Sequence, residues 1–326
     1  MRTRNGVDVT DPGHGLWGSD TRPAHLARGL RTGQMVRGER ALIAALTTVN
    51  VVWEVVDARC PRASRNPRLA RLCAGKPLVI VLAKADLAEP GVSAKWVRYL
   101  DAEAPVVVAN LRRPSGIRAL AAASREAQSR VGAHGSVVGF DALVAGVPNT
   151  GKSTLLNLVT GGAHAAVGAR PGITRGAQWL RVPAGGRVLD LPGVLPPRLE
   201  SWPVIWRLWA VGAVTLDAAD AERAGNALAD WITGHAPLAL SKRYGLPASD
   251  AVAGRALEMI ALRRGFLRHG GGVEPAHAAA ALLADYRRGL LGRVSLEAPL
   301  QFPAAAAELL VARDCEQSMD GGHADR

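Results

Sequence analysis

The stretch GVPNTGKS, residues 146–153, constrains this chain more than any other. It fits G-x-x-x-x-G-K-[ST] at every fixed position, follows the apolar run ALVAG and leads into KSTLLNLVT, the strand–loop–helix setting that gives the pattern its meaning. Backbone N–H groups around Gly151 can wrap a phosphate, helped by the positive end of the following helix. Lys152 is then the side chain for the outer phosphates and Ser153 the hydroxyl for Mg²⁺. Pro148, Asn149, Thr150 and Thr154 complete the candidate phosphate site. A glycine-rich turn without chemistry would leave the joint register of Lys152 and Ser153 unexplained.

Such a loop calls for an α/β layer structure, and the chain supplies one. Apolar, β-branched runs recur as VVWEVVD (51–57), PLVIVLAKAD (77–86), PVVVAN (105–110), DALVAGVP (141–148), AQWLRV (177–182) and RVLDLPG (187–193). Most are continuous rather than alternating, as expected of strands buried on both faces of a mainly parallel sheet. Helical stretches such as 116–131 and 152–160 lie between some of them. Beyond residue 200 only helical patterns follow, at 221–236, 250–265 and 275–292; in the last, Ala278, Leu282, Tyr286 and Leu290 form one apolar stripe that leaves Arg287 and Arg288 outside it. Residues 1–32 lack periodicity and read as a flexible basic arm, and the end of the chain, 301–326, reads as a disordered tail. The organisation expected is an arm, an α/β nucleotide domain over 33–200, a smaller helical domain over 201–300, and the tail.

Behind the phosphate loop, PGIT (171–174) offers Thr174 as a switch threonine, catalytic and metal-binding. DLPG (190–193) offers Asp190 near the metal and the Gly193 amide for the γ-phosphate. Spaced in this order, the three elements make the nucleotide site of a GTPase, yet no base-reading element follows them. One precedes them: AKAD, residues 83–86, matches the guanine-reading Asn-Lys-x-Asp except for Ala83. Lys84 and Asp86 are its candidate base contacts, joined by Ala109 and Asn110 at the end of PVVVAN. Loops that meet at one sheet edge need no fixed chain order, so the arrangement is that of a circularly permuted chain.

Composition narrows the setting. A net charge of +12 and a pI near 10.7 would attract a polyanion, either nucleic acid or an anionic membrane. An Ala- and Arg-rich composition inherited from a GC-rich genome is the other source of such charge. No apolar run approaches the roughly 18–20 residues that span a bilayer, and the acid-bearing start has no apolar core of a leader; the expectation is a cytoplasmic protein without membrane association. Cys60, Cys73 and Cys315 are odd in number and unpaired in spacing, as ordinary thiols are.

The blocks VVWEVVDARCPRASRNP (51–67), AKAD, GVPNTGKST, RPGITRGAQW (170–179) and DLPG, followed by KRYGL (242–246), RRGFLRHGG (263–271) and DYRRGLLGRVSLE (285–297), resemble in order and content the circularly permuted GTPases of bacterial ribosome assembly, of the YlqF/RbgA type. The resemblance covers roughly residues 33–300. It implies GTP or GDP with Mg²⁺ as ligands, and the large ribosomal subunit and its RNA as partners of a monomer. It also implies RNA contact through Arg263, Arg264, Arg268, Arg287, Arg288 and Arg293, for which a plain solvated helix face is the other reading. Asn149 matches an asparagine that in relatives helps hold a monovalent cation such as K⁺, or is a turn-stabilising amide.

Two departures bear on chemistry. Where the family carries a histidine thought to assist hydrolysis, ungapped counting from Glu54 gives Gln34; His14 and His25 are rival alignments that require an insertion. After Gly193 stands Val194 rather than a water-orienting glutamine. A slow, ribosome-stimulated GTPase is expected, with a catalytically weak RNA-binding factor that uses GTP and GDP only as a switch as the alternative. The second departure, Ala83, removes an amide that ties the base loop to the phosphate loop, at a cost of roughly 0.5–1.5 kcal/mol.

Overall fold

Strand β1 (Val51–Asp57) is buried along its whole length, because its residues face helices on both sides of the sheet. Val51, Trp53 and Val55 point into one layer with residues of α4 (Ser115–Arg130) and α5 (Lys152–Thr160). On the other side, Val52 packs with Leu42 and Leu46 of α1 (Gly33–Leu46), and Val56 with Trp96 and Leu100 of α3 (Pro90–Asp101). The continuous apolar pattern thus has the cause expected for a two-sided sheet. The computed structural model describes residues 33–65, 67–73, 75–109, 115–131, 140–162, 178–183, 185–191, 199, 201–246, 254–268 and 271–299.

Besides β1, the sheet contains β2 (Leu78–Ala83), β3 (Val106–Ala109), β4 (Phe140–Ala145), β5 (Gln178–Arg181) and β6 (Gly186–Asp190), in the order β3-β2-β1-β4-β6-β5. All pairs are parallel except β5 with β6. The strand that feeds the phosphate loop, β4, therefore lies mid-sheet, flanked by β1 from earlier in the chain and β6 from later. A short helix α2 (Pro67–Leu72) connects β1 to β2.

The helices α6 (Trp202–Val211), α7 (Ala218–His235), α8 (Pro237–Tyr244), α9 (Ala256–Arg264) and α10 (Pro275–Arg287) share one apolar core. That core also includes Cys60, Ala63 and Val147 from the sheet part. Trp202, Trp206 and Trp209 are buried in it, together with these three sheet-part residues. Where α7 meets α10, Gly225 permits the approach: a Cβ there would stand 2.4 Å from the Cβ of Ala279. Asp285 of α10 accepts hydrogen bonds from Arg243 Nε at 2.7 Å and the Tyr244 hydroxyl at 2.9 Å, pinning the end of α8.

The stripe expected on the last helix is shorter than the sequence suggests. Ala278, Leu282 and Tyr286 are buried, but α10 ends at Arg287 and Leu290 is exposed. The reason is Gly289, which turns the chain with φ +75; a Cβ there would lie 2.7 Å from Leu87 Cδ2. After this turn residues 294–297 run back along the seam between the two parts. Val294 N–H donates to Leu87 O and its carbonyl accepts from Tyr286. Ser295 Oγ accepts from Glu89 N–H while its carbonyl accepts from Trp231 Nε1. Leu296 N–H donates to Arg59 O and its carbonyl accepts from Arg207 Nε. Glu297 accepts from Ala63 N–H and Trp96 Nε1. Four consecutive residues, three of which hold both parts at once, form a strap.

Candidate nucleotide site

The phosphate loop owes its shape to close packing against β1. At Gly146, φ is +149 and a Cβ would sit 2.3 Å from Val55 O, so no side chain fits. Asn149 (φ +60) and Gly151 (φ +114) also take the left-handed turn region. Thr150 is buried and donates to Val147 O at 3.0 Å, fastening the loop to itself. Helix α5 starts at Lys152, with Leu155 N–H donating to Gly151 O as an ordinary helical bond. The N–H groups before Leu155 belong to the first turn, where a helix has no internal acceptors and an anion can bind. Lys152 Nζ donates to Val147 O at 2.8 Å. Burial lowers the Lys152 ammonium to about 8, against the pull of Asp190 and with a smaller push from Lys84.

Ser153 follows in the first turn of α5. Asp190 ends β6 in register with Val144 of β4, on the strand that carries the phosphate loop. Burial raises its carboxyl, and Lys152 opposes that rise. A hydroxyl and a carboxylate on neighbouring elements are the hard oxygen donors that suit Mg²⁺. Thr174, Gly193, Val194, Asn110, His14 and His25 lie outside the described residues. Gln34 falls in the first turn of α1.

Lys84 ties the AKAD loop to the GVPNTGKS loop. Ala83 ends β2, fully buried, paired with Asp57 and with Ala109 of β3. Lys84 follows with φ +57, and its Nζ donates to Asn149 O at 2.5 Å and to Asp57 Oδ2 at 2.9 Å. Asp86 is half-buried just beyond. Asp57 has no exposed surface; burial alone would push its carboxyl up, but Arg59 and then Lys84 outweigh it and hold the group well below the usual carboxylate range. Arg59 grips Asp57 through Nε and Nη2, each at 2.9 Å. Its guanidinium lies over the Tyr286 ring at 4.9 Å. The Asn149 amide donates to Gly212 O, at the end of α6, at 2.5 Å.

The sequence pattern assigned the Asp57-Ala58-Arg59 turn no chemical role, although opposite charges directly after a buried strand are the signal that could have marked it.

The six candidate RNA arginines do not form one uniform set. All are exposed, but Arg264 lies 3.5 Å from Asp285 and Arg268 is 3.1 Å from Glu274. Arg287 donates to the carbonyls of Trp209 and Ala210, so its head closes the end of α6. Cys60 and Cys73 are buried free thiols, and burial raises both pKa values, Cys73 to about 12; they are structural.

Comparison with known proteins agrees with this geometry. A family described as "50S ribosome-binding GTPase" matches residues 141–225. Ribosome biogenesis GTPase A of Bacillus cereus is 31% identical over 83% of this chain and 93% of its own length. The chain belongs to the ribosome biogenesis GTPase A family. Its Thermotoga maritima relative is 30% identical over 82% of this chain and 93% of its own. The solved GNP-bound YlqF of T. maritima, 26% identical, superposes with a TM-score of 0.54 over 81% of this chain and 98% of that one. The GDP-bound form gives 0.53 over 79% and 98%. Among the described residues, no helix is long and apolar enough to cross a membrane.

Proposed function

We propose that this protein binds and hydrolyses GTP as an assembly factor of the large ribosomal subunit. In this reading it is a circularly permuted GTPase domain, residues 33–200, joined to a helical domain, 201–300, that meets ribosomal RNA. The observation that carries the reading is the bond of 2.5 Å from Lys84 Nζ to Asn149 O, by which AKAD and GVPNTGKS meet at one edge of the sheet. The names of the relatives supply the ribosomal role, and the strand order supports permutation, since β1 precedes the phosphate-loop strand and lies beside it, with β2 next beyond β1.

In this site the first turn of α5 and Lys152 bind phosphate, and Asp86 accepts from the guanine edge. The Lys84 stem covers the base. Ser153 and Asp190, with Thr174, would hold Mg²⁺, which neutralises phosphate charge when bound. A monovalent cation would take the Asn149 side-chain oxygen. Gln34 can orient water but cannot act as a general base, so the isolated protein turns over slowly and the ribosome completes its site. General acid–base help is worth about 10²–10⁴ in rate. Competition titrations should show GTP and GDP preferred over ATP and ADP, with the preference lost in Asp86→Asn; equal affinity for ATP refutes the reading. Gln34→His should raise single-turnover hydrolysis with large subunits present. Loss of turnover in His14→Ala or His25→Ala would put the catalytic residue upstream instead.

A further inference from the structure

For one nucleotide to touch both Asp86 and Lys152, the base loop must be held at a fixed distance from the phosphate loop. Ala83 offers no side chain for this, being a fully buried methyl at the end of β2. The tie that does exist runs through Lys84, whose Nζ bridges Asn149 O and Asp57 Oδ2. Asp57 cannot turn away: Oδ1 accepts from the Arg59 N–H at 3.1 Å and from Nε at 2.9 Å, while Oδ2 accepts from Nη2 at 2.9 Å. Arg59, itself buried, is fixed by the Tyr286 ring and carries Leu296 on its carbonyl.

We propose that Asp57 is a positioning residue for base recognition: it holds Lys84 so that a charge-assisted bridge ties the AKAD loop to the phosphate loop, in place of the amide missing at Ala83. The proposal rests on the reading of the site as a guanine-nucleotide site. Bonds with an ionised partner are about twice as strong as neutral ones and stronger still away from water. Both Lys84 and Asp57 are charged, and Asp57 is fully buried. The aspartate touches neither base nor phosphate; it acts by fixing the lysine. Because Arg59 is packed against α10, the same clamp makes the base loop depend on the docking of the helical part.

The test compares GDP with IDP, which differ only in the exocyclic amine of guanine that Asp86 would accept from. In Asp57→Asn and in Lys84→Met, measured by calorimetry with Mg²⁺, GDP affinity should fall by about tenfold or more. The GDP-to-IDP ratio should collapse toward one. Lys84→Met keeps the side-chain stem and the Asp57–Arg59 pair, and it decides the matter if Asp57→Asn does not melt cooperatively. An unchanged ratio, or an equal loss for the two nucleotides in a folded variant, overturns the proposal and leaves Asp57 a structural residue. If the wild type does not distinguish GDP from ADP, the guanine reading itself fails, and the positioning role falls with it.

Discussion

Lys152 should stop helping the phosphates at a pH where an ordinary lysine is still fully charged. Burial brings its ammonium from 10.5 to about 8 in the nucleotide-free fold, although Asp190 pulls the other way. The ammonium attracts the phosphates and the neutral amine does not, so affinity is full below about 8 and declines as pH rises through it. At pH 9, one unit above, about a tenth of the molecules carry the charge, and binding must recharge the rest at about 1.4 kcal/mol, a tenfold loss. A lysine left at 10.5 would lose almost nothing over the same interval. Calorimetric titration of GDP with Mg²⁺ at pH 7 and pH 9 reads this directly. Lys152→Met should bind more weakly at both values and show no such step. A wild-type affinity equal at the two pH values refutes the argument, and so does a step that persists in Lys152→Met, which would place the titrating group on another residue or on the base. Stability carries the opposite sign. Between about 8 and 10.5 the unfolded chain binds the proton that the folded one has released, so the empty protein gains stability from this group as pH rises. The melting shift produced by GDP should therefore shrink over that window.

Two further outcomes follow from packing and charge. In Gly225→Ala the overlap with Ala279 should cost about 1–3 kcal/mol against the roughly 1 kcal/mol an alanine gains in a helix, a net loss of up to about 2 kcal/mol. Ala279→Gly in the same chain should recover much of that stability, and denaturation midpoints that simply add would refute the close crossing. For ribosomal RNA, Arg263→Ala combined with Arg288→Ala should lower the log–log salt slope of association by about 0.9 for each phosphate that is no longer neutralised on duplex RNA, a value borrowed from B-form DNA. An unchanged slope would make these side chains a solvated face. Arg287 is a poor choice for this experiment because its head holds the end of α6.

The strands were legible because burial on both faces writes itself into continuous runs: VVWEVVD is β1 from end to end, and KSTLLNLVT is α5. Three helices were harder to read: α3 begins with Pro90-Gly91, α1 has no acidic first turn to mark its start, and α6 is apolar almost all round and offers no stripe. Leu290 misled because spacing by four continues past Gly289, while the backbone does not. In the candidate site, Lys152 and Ser153 open α5 and Asp190 ends β6, the positions that the local pattern gives them. The roles of Asp57, Arg59 and Tyr286 were not legible, because Asp57 meets Lys84 and Arg59 meets Tyr286 only in the fold, the latter pair 227 positions apart.

The strap at residues 294–297 sets an order of events during synthesis. A chain emerges from its N-terminus and its parts fold as they appear, so the sheet strands and the phosphate loop are available long before α10 is made. The carbonyls of Leu87 and Arg59 and the amides of Glu89 and Ala63 receive these partners only when Val294 to Glu297 arrive. The AKAD loop is thus translated early in the molecule and is among the last parts to be finished.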